Sequence, residues 1–279
     1  MNISIDRRTS LVFLIITAIL WSTSGILIRI MDWQPAAILA GRSIFSGLLF
    51  FIYLRRFPRK WTRWQLLAAS GYILTQFLYV TSVKMTTVAN AIFLQYTAPI
   101  YIIFLGYWLL KEKPTRADWV SMLVIFTGLL LFFGDGLSLD GFYGNILAAM
   151  SGGTMALMMI AMRAQKHANP AESILLANVF TATLGFPFVL HAHWTVLNWA
   201  IVVYLGVFQI GLSFLLYSIA IKHVPALEAT LLGTLEPILS PLWVFLFLGE
   251  RPGNNALLGA LIVLAGVVYN ALANPNVET

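Results

Sequence analysis

The chain has 279 residues, 59% of them hydrophobic and only 10% charged, with no cysteine and a net charge of +6; mean hydropathy is +0.84. Soluble domains are about half apolar and a quarter charged, so this composition describes a polytopic membrane protein and excludes a soluble fold. The absence of cysteine excludes disulfides, Fe-S ligation and thiol chemistry.

A helix crossing a bilayer needs about 20 predominantly apolar residues. In chain order the sequence predicts ten such spans, at 9–31, 35–54, 63–83, 87–110, 116–134, 142–163, 171–191, 197–221, 225–248 and 254–273. Connections such as Asp32 to Gln34 and Lys84 to Thr86 are too short to hold a soluble domain, so function has to reside inside the helix bundle.

The first span follows Arg7 and Arg8, and its run Leu11 to Leu20 with Ser22 and Ser24 imitates a cleavable signal peptide. Its apolar character continues to Met31, and Arg29, Pro35 and Ala36 have loose counterparts in Arg163, Pro170 and Ala171, so it is read as a retained span. In the second span Arg42 stands seven residues beyond Pro35, about 10 Å below the helix end at 1.5 Å per residue. Such an arginine either meets a carboxylate or snorkels to the surface.

In the third span Gly71 or Tyr72, Thr75 or Gln76, and Tyr79 follow helical spacing, and the eighth repeats the stripe as Gly206, Gln209, Ser213 and Tyr217. A polar stripe in lipid faces the bundle interior or water. Gln95, Tyr96, Pro99 and Tyr101 lie in the fourth span, and Glu236, Pro237 and Pro241 in the ninth. Having no N–H, Pro99, Pro237 and Pro241 free the carbonyls of Gln95, Gly233 and Pro237, which marks them as hinge or kink positions. Trp33, Trp61, Trp64, Trp119, Trp194 and Trp199 flank span ends and are read as headgroup-belt residues.

Laying Tyr79–Pro114 over Tyr217–Pro252 returns the same residue types 138 positions on, among them Lys84/Lys222, Ala91/Ala229, Pro99/Pro237, Glu112/Glu250 and Pro114/Pro252. Each half holds five spans, an odd number, so the second half enters the bilayer upside down relative to the first. With the N-terminus inside, thirteen of the 17 lysines and arginines fall on the cytoplasmic side, against Arg29, Lys84 and Arg251 outside. That asymmetry is the positive-inside rule and places both termini in the cytoplasm. The surplus charge therefore reports topology, and no nucleic-acid partner is expected.

A span with a proline near its middle that runs into a Glu-Lys-Pro or Glu-Arg-Pro corner, once per half, resembles the ten-helix EamA-type branch of the drug/metabolite transporter (DMT) superfamily. The matching residues are Pro99 with Glu112-Lys113-Pro114, and Glu236-Pro237 with Glu250-Arg251-Pro252; Leu20-Trp21-Ser22, Gly128 and Gly266 are also similar. The first half departs from the second in having Ala98 where Glu236 stands.

The resemblance covers essentially the whole chain. It implies an all-α integral membrane fold of ten transmembrane helices in two inverted five-helix repeats around a central cavity. It also implies export of small metabolites, with a general likeness to amino-acid exporters of the YddG type. The expected organisation is one transmembrane transporter domain over 1–279, with repeat 1 at about 9–134 and repeat 2 at about 142–273, in a bacterial-type cytoplasmic (inner) membrane.

The candidate pathway residues are Trp21, Arg42, Gln76, Tyr79, Gln95, Tyr96, Tyr101, Gln209, Ser213, Tyr217 and Glu236. Arg42 and Glu236 complement the carboxylate and ammonium of a zwitterion, and the rings and amides suit a flat or apolar side chain. The alternative substrate is another small metabolite or a drug. The corner acids Glu112 and Glu250 fall at the membrane edge and are expected to contact Lys113, Arg116 or Arg251.

An intramembrane enzyme is disfavoured. His167, His191, His193 and His223 sit at span ends, Phe132-Phe133-Gly134-Asp135 lacks the first glycine of an aspartyl-protease signature, and neither a Gly-x-Ser-x-Gly nor a P-loop occurs. A channel is disfavoured by the lack of charged rings or a carbonyl filter. No cofactor and no metal are expected; the partners are a small-molecule substrate and the lipid bilayer.

The inverted arrangement has a direct test. Single cysteines replacing Lys84 and Lys222 are expected to react with an impermeant maleimide from opposite faces of the membrane; labelling from one face overturns the inversion.

Overall fold

The computed structural model describes residues 6–57, 61–134, 137, 140–239, 243 and 253–273, and every regular element among them is helical. The first half contains α1 (Arg7–Ser22), α2 (Ser24–Ile30), α3 (Pro35–Leu54), α4 (Arg63–Met85), α5 (Val88–Gln95), α6 (Ala98–Leu110) and α7 (Arg116–Phe133). The second contains α8 (Phe142–Arg163), α9 (Ala171–Leu190), α10 (Val196–Tyr204), a π-helical stretch Leu205–Leu212, α11 (Ser213–Ala220), α12 (Ala226–Gly233), α13, described over 235–239, and α14 (Asn254–Ala273).

These helices make ten spans. The first is α1 and α2, the fourth α5 and α6, the eighth α10 to α11 with the π-stretch between, and the ninth α12 and α13. Where the helix ends are described, the spans lie within two residues of the sequence reading. The end of the ninth lies outside the described residues.

Short polar residues set the helix starts. Thr62 and Thr115 each accept a hydrogen bond from the backbone N–H three residues on, and Gln65 and Asp118 return the bond to the cap. These capping boxes satisfy N–H groups that a helix N-terminus otherwise leaves open. Asp6, Thr87 and Thr195 cap α1, α5 and α10 in the simpler way, and Pro35 opens α3, where its missing N–H costs nothing.

Contacts between helix ends sort the chain into two faces. At one end Arg7 pairs with Glu228, Arg163 with Glu112 and with the carbonyls of Ile221 and Lys222, and Arg56 and Gln65 with Glu172. At the other, Trp33 and Asn198 meet the His193 carbonyl, Asn198 meets Asp32, and Asn145 meets Thr86 and Asn90. The first group is here called the basic end. The first span runs away from the basic end, whereas its counterpart, the sixth, runs toward it, so the two halves are inverted.

The packing follows the same symmetry. The second span lies against the seventh and the fifth against the tenth, each pairing a helix with its own counterpart; the third against the sixth and the eighth against the first are one contact seen in both halves. The fifth and tenth spans approach most closely at glycines. A Cβ on Gly259 would stand 2.5 Å from the Phe132 nitrogen and 2.6 Å from the Gly128 carbonyl oxygen. Close backbone approach through small residues is how membrane helices gain dispersion contact without a hydrophobic driving force.

Gly259→Leu is therefore expected to push these two helices apart and lower stability by about 1–3 kcal/mol or more, read as a lower thermal midpoint in detergent. Gly134→Ala, where a Cβ meets nothing within 4 Å, is the silent control.

Candidate transport cavity

Three spans are interrupted at the level of the bundle centre. The first breaks at Thr23, the fourth at Tyr96 and Thr97, and the ninth at Thr234. Tyr96 and Thr234 are equivalent positions in the two halves, each three residues before a proline. Pro99 lies in the opening turn of α6, so the bend is a junction between two helices and not a kink inside one. The eighth span is continuous but carries the π-stretch, and such segments occur often at functional sites.

A cavity of about 50 Å³ opens beside these interruptions. Trp21, Arg42, Gln76, Tyr79, Gln95, Gln209 and Glu236 line it, joined by Ser24, Ile28, Thr75, Met155, Met158 and Phe214. Three more of the sequence candidates stand directly behind its wall. Tyr96 donates to the Gly233 carbonyl at 3.0 Å, its hydroxyl 2.6 Å from Glu236 Oε2. Ser213 accepts from Trp21 Nε1 at 2.9 Å, and the Tyr217 ring lies 5.8 Å from that of Trp21.

Tyr101 is not brought in. The buried face of α6 is Ala98, Pro99, Ile102, Ile103 and Gly106, and Tyr101, off that face, is 37% exposed. Pro237 precedes the described end of α13, and Pro241 lies outside the described residues, as do Glu250 and Arg251.

Arg42 is the strongest electrostatic feature. It is 2% exposed and donates through Nη2 to Gln76 Oε1 at 2.5 Å, and it takes part in none of the ion pairs among the described residues. A guanidinium has five N–H donors and no acceptor, so the remaining donors are available to an anion in the cavity. Gly206 lets the eighth span come this close: a Cβ there would lie 2.7 Å from the Arg42 carbonyl oxygen.

Tyr96 constrains the protonation of Glu236. One phenolic proton faces two oxygens, and the Gly233 carbonyl, freed by Pro237, can only accept. When Tyr96 donates to that carbonyl, the contact to Glu236 needs a proton on the carboxyl; when Glu236 is ionised, the carbonyl loses its share of the phenol. The protonation of Glu236 and the partner of the Gly233 carbonyl are thereby linked through one phenol.

Met155 and Met158 escape a reading based on polarity because methionine carries no polar mark. Their three-residue spacing on the sixth span is the available signal. Trp33, read as a belt residue, is 3% exposed and donates to the His193 carbonyl at 2.7 Å, packing edge-on against Trp199. Its indole N–H has a partner within the protein, so it needs no headgroup.

At the far end, hydrogen bonds from His193 and then Asn198 hold the Asp32 carboxyl below the usual carboxylate range.

The basic end holds a second cavity, of about 290 Å³, lined by residues that include Lys111, Glu112, Lys113, Asp118, Arg163, Lys166, Leu227 and Glu228. Among the described residues Glu112 pairs with Arg163 at 2.8 Å and not with Lys113 or Arg116. Its other oxygen accepts from the Ala226 N–H at 3.3 Å. Just outside the eighth span, burial, Lys222 and Arg163 push His223 below its ordinary range, with Asp6 opposing.

The family model of the EamA-like transporter family matches residues 8–134 and again 142–272. The chain belongs to this family. It is therefore a multi-pass membrane transporter of small molecules and not an enzyme. An uncharacterized transporter of Archaeoglobus fulgidus is 25% identical over 256 residues, covering 91% of this chain and 93% of its own. The uncharacterized transporter YwfM of Bacillus subtilis is 25% identical over 280 residues, covering 94% and 93%. The threonine/homoserine exporter RhtA of Escherichia coli is 25% identical over 195 residues, 67% of this chain and 64% of its own. A solved protein crystal structure superimposes with a TM-score of 0.84 at 20% identity, over 96% of this chain and 99% of that one, and so has the same fold.

Tyr96→Phe leaves the freed Gly233 carbonyl without its donor and is expected to lower stability by about 1–3 kcal/mol, read as the thermal midpoint in detergent. Tyr101→Phe is expected to change neither that midpoint nor transport.

Proposed function

We propose that this family member exports amino acids, in particular those with apolar or aromatic side chains, by alternating access. The observation that carries this reading is Arg42, a buried guanidinium with donors to spare, lining the same small cavity as Glu236. A zwitterion matches both groups, its carboxylate on Arg42 and its ammonium on Glu236. Trp21, Phe214, Met155 and Met158 form an apolar wall for the side chain, and thioethers adapt to different shapes. The likeness to a threonine/homoserine exporter supports amino-acid export as a class.

The chain acts as one transport domain over 1–279, repeat 1 at about 9–134 and repeat 2 at about 142–273, in a cytoplasmic (inner) membrane with the basic end and both termini in the cytoplasm. At about 50 Å³ the central cavity is far below the 300–1,000 Å³ of small-molecule sites. That is room for a few waters. Loading therefore requires the halves to rock apart, with the junctions at Thr23, Tyr96–Thr97 and Thr234 and the hinge prolines Pro99, Pro237 and Pro241 absorbing the movement. A protonated Glu236 gives up its hold on an ammonium, which supplies a route to exchange substrate against a proton.

The test is efflux from proteoliposomes loaded with labelled amino acids, nucleosides or polyamines, with and without a pH gradient. Leucine or phenylalanine is expected to exchange by counterflow. Arg42→Ala and Glu236→Gln are each expected to reduce that exchange at least about tenfold, the worth of one charge-assisted hydrogen bond, while inserting normally. Wild-type rates in both variants sink the zwitterion site.

A further inference from the structure

The cavity at the basic end differs from the central one in size and in the state of its charges. At about 290 Å³ it is close to the lower bound for a small-molecule site, about 300 Å³, and its lining carries four cationic side chains, Lys111, Lys113, Lys166 and Arg163. Each of the three acids around it has at least one partner, Glu228 through one oxygen only. Glu112 holds Arg163 and the Ala226 N–H, Glu228 holds Arg7, and Asp118 caps its own helix and accepts from Asn270 at 2.8 Å. Lys111, Lys113 and Lys166 take part in none of the ion pairs among the described residues. The concave surface thus sets three lysines outside any of these ion pairs, and Arg163, against three acids that each already have a partner, a surplus of positive charge that concentrates small anions.

Arg163, in the lining of this cavity, stands at the end of the helix that carries Met155 and Met158 of the central one. Arg163, 3% exposed, ties Glu112 at the end of the fourth span to the Ile221 and Lys222 carbonyls at the end of the eighth. Through the Ala226 N–H, Glu112 reaches the start of the ninth. Separating these spans without a substitute would strand a buried guanidinium. A carboxylate arriving in the cavity can replace Glu112 on Arg163, leaving the number of paired charges unchanged while releasing the tie between the two halves.

We propose that this cavity is an antechamber that binds the carboxylate of the substrate through Lys111, Lys113 and Lys166, and that partner exchange on Arg163 opens the path to the central cavity. This rests on the reading of the chain as an amino-acid exporter. Phosphate from an anionic lipid headgroup shares the chemistry of a small oxyanion, and the experiment separates the two.

Because the chain has no cysteine, Leu227→Cys places a single thiol on the cavity wall; Ile103→Cys serves if that variant does not insert. Its rate of modification is measured with an anionic and a cationic methanethiosulfonate reagent in phosphatidylcholine nanodiscs. The anionic reagent is expected to react about tenfold faster, and Lys111→Gln/Lys113→Gln/Lys166→Gln is expected to abolish the preference. Millimolar acetate should slow the anionic reagent only where the lysines are intact. Equal rates, or a faster cationic reagent, overturn the proposal. If exchanging the lipid for phosphatidylglycerol protects the thiol and acetate does not, the site belongs to lipid and the substrate assignment falls.

In proteoliposomes the triple variant is expected to raise the KM for export about tenfold, with kcat and the KM for uptake from the far end unchanged. A wild-type protein that carries no amino acid would defeat the exporter reading, while the labelling ratios would still decide whether the cavity binds carboxylate.

Discussion

Hydrocarbon supplies no hydrogen bonds, so every backbone N–H and C=O inside the membrane needs a partner within the protein. That requirement governs where this chain interrupts its helices. The junctions at Thr23, Tyr96–Thr97 and Thr234 lie beside the central cavity, where water and neighbouring side chains can reach them. The Gly233 carbonyl released by Pro237 shows the arrangement at atomic scale, since its bond comes from a tyrosine in the other half of the molecule. The substitute donor also touches Glu236. The bond that makes the broken helix tolerable thus couples the two halves and the proton on the candidate site.

Much of this architecture was legible because lipid imposes long apolar runs whose edges are marked by charge, proline and capping residues. The capping boxes that the structure shows at Thr62 and Thr115 fall at the boundaries drawn from hydropathy. The repeat was legible in Pro99/Pro237 and Glu112/Glu250, residue types that chance composition does not return at one spacing. The polar part of the cavity followed from the rule that amides and charges turn away from lipid, and Arg42, Gln76, Gln95, Gln209 and Glu236 do line one space.

What escaped the sequence depends on helix phase or on partners distant in the chain. Tyr101 follows a junction that separates its helix from the one before, and only the new buried face from Ala98 to Gly106 reveals which way it turns. The tie between Glu112 and Arg163 joins residues from different halves, and nothing local to either predicts it. Trp33 resembles a belt residue by position, yet it is buried and its N–H is taken by a loop carbonyl 160 residues away. Met155 and Met158 share one helix face by their spacing, but apolar side chains there suit ordinary core as well as a cavity wall.

The two ends of the bundle are closed by different kinds of bond. One end is held by guanidinium–carboxylate pairs, Arg7 with Glu228 and Arg163 with Glu112; the corresponding region at the other end is held by Asn145 with Thr86 and Asn90, all neutral. Symmetry of backbone therefore coexists with asymmetry of chemistry at the two ends. Salt screens exposed pairs more than buried ones, so the solvent-facing Asp32–His193 pair at the far end yields to ionic strength before the half-buried guanidinium pairs at the basic end. Salt thereby weakens the two closures unequally.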